Sequence, residues 1–151
     1  MPTATLASPF GGIGLVERDE AIVAVVWTDR EERATTPLLR RAVEQMQAYL
    51  DGELRAFDLP LAPAGGAFQQ AVLAALLAIP YGKTRTYGEL AKDLGSYGQP
   101  VGAACGANPI PIIIPCHRVL SAQGLGGFSA RGGVETKIAL LKHEGAFPFL
   151  L

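Results

Sequence analysis

Two apolar, β-branched runs, Ile13 to Val16 and Ala21 to Trp27, flank the charged stretch Glu17-Arg18-Asp19-Glu20 near the start of the chain. This pattern predicts a hairpin, so a small antiparallel sheet is expected to open the protein. Thr36 ahead of Pro37 supplies an N-cap and a first-turn proline, and Leu38 to Leu50 then runs with helical periodicity until Asp51-Gly52 stops it. That helix is expected to cover one face of the sheet. Leu59 to Gly66 is rich in proline, alanine and glycine without a period, and reads as a linker.

Helical signals dominate the remainder. Phe68 to Ile79 is an Ala/Leu-rich run ended by Pro80, and its near-continuous apolarity predicts a buried helix at the core of a second domain. Thr86-Tyr87-Gly88-Glu89 has capping-box spacing, and Leu90 to Leu94 continues that helix to Gly95. After a short turn, Pro100 is expected at the first position of another helix reaching about Ala107, which makes the pair a helix-turn-helix. The second helix consists almost wholly of Gly102, Ala103, Ala104, Cys105, Gly106 and Ala107. Such a surface suits either tight core packing or a backbone that comes close to a DNA groove wall. Ile112-Ile113-Ile114 then leads into Pro115-Cys116-His117-Arg118, and Gly124, Gly126 and Gly127 mark a flexible loop with Leu125, Phe128 and Ser129. A last helix is expected from about Gly133 to Lys142, followed by His143, Glu144 and a glycine stop at Gly145.

Composition narrows the class. With 151 residues, 49% hydrophobic and 18% charged, the chain fits one domain or two small ones and is unlike a disordered protein. No apolar run approaches the roughly 18 residues that span a bilayer, and Met1 to Phe10 lacks the pattern of a signal peptide, so a cytoplasmic protein without membrane contact is expected. Its two cysteines, Cys105 and Cys116, would stay reduced there. The formal net charge of -1 divides unevenly, -4 before Ala67 and +3 from it onward, so a polyanion would meet the second half.

Three isoleucines and a proline ahead of Cys116 should hold it rigidly and out of water, which raises a thiol pKa and suppresses the thiolate. His117 could take the thiol proton directly or through a water, with Glu144 as the carboxylate that orients it. Taken alone, a Cys-His dipeptide is more often structural than catalytic. Cys105, Cys116, His117 and His143 also supply zinc-binding atoms, but no Cys-x-x-Cys spacing supports a metal site, and no oxyanion motif supports a cysteine hydrolase. Cys105 reads best as a small apolar helix residue.

The string Asn108-Pro109-Ile110-Pro111-Ile112-Ile113-Ile114-Pro115-Cys116-His117-Arg118-Val119 resembles the active-site signature of the O6-alkylguanine-DNA alkyltransferase, or methylated-DNA–protein-cysteine methyltransferase, family. The match extends through Phe68-Gln69-Gln70, Ile79-Pro80-Tyr81-Gly82, Tyr87-Gly88-Glu89-Leu90-Ala91 and His143-Glu144-Gly145. The resemblance implies an α+β fold: a supporting, ribonuclease-H-like α/β domain over residues 1–62, and a mostly helical domain with a winged helix-turn-helix over 67–151. It implies stoichiometric, self-inactivating transfer of an alkyl group from O6 of guanine, or O4 of thymine, in double-stranded DNA to Cys116. A monomer with neither cofactor nor metal is expected. By the same resemblance His117 is the base and Glu144 its orienter, Asn108 links the recognition helix to the active-site turn, and Tyr87 gives a proton to the departing guanine. Ser129 bonds O6, while Pro111, Leu125 and Phe128 wall the alkyl pocket. Gly102, Ala103 and Gly106 face the DNA minor groove, and Arg118 braces the fold. Gln99 stands where an arginine usually enters the base stack, and Phe128 where a tyrosine is common. The family's relatives that bind alkylated bases without repairing them lack the acceptor cysteine, so a lesion-recognition protein is the alternative function.

Overall fold

The computed structural model describes residues 1–128 and 132–146, and its contacts divide the chain into Met1–Ala64 and Gly65–Leu151. In the first unit β1 (Thr3–Leu6), β2 (Ile13–Arg18) and β3 (Ala21–Trp27) form an antiparallel sheet in that order, with Thr3 opposite Val16 and Ile13 opposite Trp27. β1 was not foreshadowed by the apolar pattern, because Thr-Ala-Thr-Leu is short and half polar. The hairpin is tighter than expected. Glu17 and Arg18 belong to β2, and only Asp19 and Glu20 turn, both at positive φ (51° and 64°), as a two-residue hairpin loop matched to strand twist requires. A register irregularity between Val16 and Glu17 accommodates this, and the buried Glu17 carboxylate accepts a hydrogen bond from the Thr36 hydroxyl.

Thr36 in turn caps α1 (Pro37–Leu50), its oxygen accepting from the Leu39 amide at 3.0 Å. Leu38, Leu39, Ala42, Met46 and Tyr49 are buried on the helix face that packs on β1 and β2. The expected linker is not free over its whole length: Ile22 N donates to Pro60 O at 2.8 Å and Ala62 N to Ile22 O at 2.9 Å, so Pro60–Ala62 runs beside β3.

The second unit opens with α2 (Ala67–Leu77). The sequence predicted a buried helix, and its burial is confined to one face: Val72, Leu73 and Leu76 are buried, while Phe68 is 40% and Leu77 50% exposed. Alanine supplied much of the apparent apolarity, and alanine tolerates an exposed face. α3 (Tyr87–Leu94) has its capping box, with Thr86 Oγ1 accepting from Glu89 N at 3.1 Å and Glu89 Oε1 accepting from Thr86 N at 2.8 Å. Gly95 ends it in the left-handed region. α4 (Gly98–Gly106) begins two residues earlier than expected, with Tyr97 at the N-cap. Pro100 is therefore third rather than first, at no loss, since amides of the first turn lack partners within the helix. β4 (Arg85–Thr86) pairs in parallel with β5 (Val119–Leu120), tying the start of α3 to the residues just after Cys116. α5 (Val134–His143) closes the described unit.

Candidate active site

Asn108 leaves the end of α4 and fixes the turn that carries the thiol. Its Oδ1 accepts from Ile110 N at 2.9 Å and its Nδ2 donates to Ile114 O at 2.8 Å, and it favours the thiolate form of Cys116. Ile110, Ile112, Ile113 and Ile114 are all buried, and Ile112 is held at φ 71°, a strained conformation for a β-branched residue. Cys116 opens a 3-10 turn, Cys116–Arg118, and is 6% exposed. Burial pushes its thiol up from the ordinary range, while the Asn108 hydrogen bond and the Lys137 charge pull it back.

His117 lies behind the thiol, fully buried, and its Nε2 is 2.9 Å from Glu144 Oε2. Burial lowers the imidazole pKa, against the opposing hydrogen bond and charge of Glu144, so the ring is neutral near pH 7. With Nε2 donating to the carboxylate, Nδ1 presents a lone pair. Nδ1 is buried and has no hydrogen-bond partner among the described residues, and no hydrogen bond joins Cys116 to His117. A proton passing between them would need a water bridge rather than direct contact. Glu144 is also gripped by Arg118, Nε to Oε1 at 2.8 Å and Nη2 to Oε2 at 2.9 Å. The remaining guanidinium nitrogen donates to Ile79 O at 2.6 Å, and the group lies 5.7 Å from the centre of the Tyr81 ring. Arg118 thus holds the carboxylate that holds the histidine.

Cys116 opens onto a cavity of about 470 Å³ whose lining, among the described residues, is Tyr87, Gly102, Cys105, Gly106, Cys116, Gly127 and Phe128. The volume suits a purine-sized ligand. Burial raises the Tyr87 phenol to about 12, helped by the neighbouring Cys105 and Cys116, so it keeps its proton at neutral pH. The Cys105 thiol is likewise pushed up to about 12, chiefly by burial.

Of the residues singled out from sequence, Tyr87, Gly102, Gly106, Cys116 and Phe128 meet at this cavity. Asn108, His117 and Glu144 stand behind it. Pro111 and Leu125 fall outside the described lining, and Leu125 packs instead against Leu120, Leu141 and Ala146. Its loop glycines allow the side chain to turn toward that apolar cluster. Gln99 and Ala103 are exposed on α4, away from the cavity lining, and Ser129 lies outside the described residues. Cys105, read from sequence as a small apolar helix residue, is buried and also lines the cavity.

Two contributors escaped the sequence reading. Lys137 is fully buried, its Nζ donating to Val119 O at 2.6 Å and Gly127 O at 3.0 Å, with the Tyr87 ring centre 5.7 Å away. Burial lowers its pKa to about 8, opposed by Cys116 and Cys105. The available signal was periodicity: Lys137 is three and four residues before Leu140 and Leu141, on the buried face of α5. The second is Gly126, at φ 72°, where a Cβ would come within 3.0 Å of Tyr87 Cε2. A side chain there would be strained by the positive φ and would crowd the phenol. Among the described residues no group of three or more His, Cys, Asp or Glu side chains is placed to hold a metal ion.

A helix-turn-helix domain that carries a buried cysteine, backed by a His-Glu pair, at the floor of a base-sized cavity defines a DNA-binding protein with a nucleophile. Comparison with known proteins makes the assignment specific. The 6-O-methylguanine DNA methyltransferase family matches over its ribonuclease-like domain at residues 1–63 and its DNA binding domain at 67–146, and this chain belongs to that family. It is 42% identical over 154 residues to the methylated-DNA–protein-cysteine methyltransferase of Methanosarcina acetivorans, covering 95% of this chain and 97% of that one. The crystal structure of Mycobacterium tuberculosis O6-methylguanine methyltransferase superposes with a TM-score of 0.84 at 38% identity, over 96% of this chain and 93% of that one. The same M. tuberculosis protein in complex with DNA gives 0.84 at 39% identity, with the same coverage.

Proposed function

We propose that this chain repairs DNA by direct reversal, moving an alkyl group from O6 of guanine, or O4 of thymine, in a double helix onto Cys116 and inactivating itself. The observation that carries this reading is the single cavity in which a buried thiol and a protonated phenol, Cys116 and Tyr87, share one purine-sized space. In the reaction His117 Nδ1 takes the thiol proton through a water, and the imidazolium is held by Glu144, itself held by Arg118. The sulfur attacks the alkyl carbon from the side opposite O6. A carbon–sulfur bond forms as the carbon–oxygen bond breaks, the electron pair passes into the guanine ring, and the Tyr87 phenol supplies the proton that neutralises it. The phenolate and imidazolium then recover their usual states by proton exchange. A thioether has no leaving group that an ordinary side chain can displace, so each molecule acts once.

Residues 67–151 act as the DNA-binding and acceptor domain and residues 1–62 as its support. Gly102, Ala103 and Gly106 face the DNA, Phe128 walls the alkyl group, and Ser129 bonds O6. The protein acts as a monomer without a cofactor. Among the described residues no helix is long and apolar enough to cross a membrane, and a reactive thiol is best kept in the reducing cytoplasm, where we place the activity. The test is stoichiometry: guanine regenerated in a duplex containing O6-methylguanine should plateau at one per protein molecule. Catalytic turnover beyond one, or lesion binding without regenerated guanine, would contradict the reading.

A further inference from the structure

We propose that Cys105 and Cys116 form a reversible oxidation site, in which Cys105 traps the acceptor sulfur as an intramolecular disulfide once a hydroperoxide has oxidised it. The reaction goes beyond alkyl transfer and needs no DNA. These two are the only cysteines of the chain; both are free thiols and both are buried, at 4% and 6% exposure.

The side chains that line the cavity, among the described residues, are two thiols and two rings, Cys105, Cys116, Tyr87 and Phe128, since Gly102, Gly106 and Gly127 contribute backbone alone. Cys105 is thus the one side chain that α4 gives to this space, and Cys116 borders the same space from the turn that follows. A single asparagine ties their backbones together. Asn108 N donates to Cys105 O at 3.2 Å, while Asn108 Nδ2 donates at 2.8 Å to Ile114 O, which also accepts from Cys116 N at 2.8 Å. Each sulfur swings about one bond, χ1, and the cavity of about 470 Å³ gives both room to do so. The charge of Cys116 reaches Cys105 and helps to raise its pKa, and the Lys137 ammonium opposes the rise at both thiols.

The two sulfurs have unequal roles, because only Cys116 has the His117 imidazole behind it as a base. Its sulfur attacks one oxygen of the peroxide, the oxygen–oxygen bond breaks, and the departing hydroxide leaves as water with the thiol proton, so that a sulfenic acid remains on Cys116. The Cys105 sulfur then attacks the sulfenic sulfur. A sulfur–sulfur bond forms as the sulfur–oxygen bond breaks, and the hydroxyl departs with the Cys105 proton as a second water. The peroxide is reduced by two electrons, one from each thiol. Burial holds the Cys105 pKa at about 12 and keeps that thiol idle until the sulfenic acid forms in the same cavity, where proximity makes up for a small thiolate fraction. A thiol reductant reverses the disulfide, whereas an untrapped sulfenic acid passes on to sulfinic acid, which ordinary thiols do not reduce. Transient disulfides of this kind are the ones found in reducing compartments.

The test exposes the reduced full chain to hydrogen peroxide, without DNA, and reads intact mass and peptide maps. The unaltered protein should lose two hydrogens, yield a peptide pair linked through Cys105 and Cys116, and return to its starting mass with dithiothreitol. Cys105→Ala should instead gain two oxygens on Cys116 that dithiothreitol does not remove. Sulfinic acid forming on Cys116 equally fast in both proteins, a disulfide joining two molecules, or an unaltered protein with both thiols untouched would each overturn the proposal. The linked peptide is read in the unaltered protein itself, so a variant that fails to fold leaves the test intact.

Discussion

His117 and Glu144 are separated by 27 positions in sequence yet meet through a 2.9 Å hydrogen bond in full burial, and the same carboxylate is clamped by Arg118. Breaking this arrangement removes an anion from between two groups that need it. Glu144→Gln should therefore lower the transfer rate strongly and also destabilise the fold, by about 3 kcal/mol or more, because it strands the Arg118 guanidinium in the interior. Denaturant unfolding of the variant, beside its transfer rate, checks both effects.

The low pKa that burial gives His117 has a signed consequence. Between the folded value and the ordinary value of about 6.5 the unfolded chain holds a proton that the folded one refuses, so stability rises with pH through that window and falls on acidification. Transfer should persist through that window and decline only as pH falls to the lowered folded value, since only then does His117 become protonated and unable to accept from the thiol. Unfolding free energies at pH 7.5 and 5.5 should differ in the unaltered protein and differ less in His117→Gln.

Lys137 lowers the Cys116 pKa and ties Gly127 to Val119. Lys137→Met should move the pH midpoint of Cys116 alkylation by iodoacetamide upward, in the direction that loss of a nearby cation dictates. An unmoved midpoint would mean that the ammonium serves the two carbonyls alone.

Gly126→Ala places a methyl group against the Tyr87 ring at a positive φ. The expected result is a loss of about 1 kcal/mol or more in stability, together with slower transfer because the phenol is displaced. Gly124→Ala, where φ is 153° but no neighbour stands within 4 Å, should affect transfer less.

Gln99→Arg adds a cation to the exposed start of α4. Affinity for an alkylated duplex should rise, and the slope of log affinity against log salt should steepen by about one unit if the new guanidinium meets a phosphate. Binding titrations at several salt concentrations measure it.

Local signals in the sequence carried far. Thr36 and Thr86 began their helices and Gly95 ended one where expected, because capping is a contact among near neighbours. The Cys116-His117 turn and its distant carboxylate were legible through a long shared string with a known family, which spacing alone would not have joined. What could not be read were properties set by tertiary approach. β1 forms because β2 offers it an edge, and α2 shows one exposed face because its alanines need no cover. Lys137 was hidden by its own residue type, since a lysine is ordinarily read as surface until its helical neighbours Leu140 and Leu141 are seen to be buried. Leu125, expected at the alkyl pocket from its loop and its apolar side chain, packs against Leu120 and Leu141, a contact that only the tertiary fold displays.

The most direct measurement is the intact mass of the protein after incubation with a duplex containing one O6-methylguanine, followed by peptide mapping, with Cys116→Ala in parallel. The account predicts a gain of one methylene mass located on Cys116 and absent from the variant. An unchanged mass, or a methyl group found on Cys105 or elsewhere with Cys116 untouched, would contradict it.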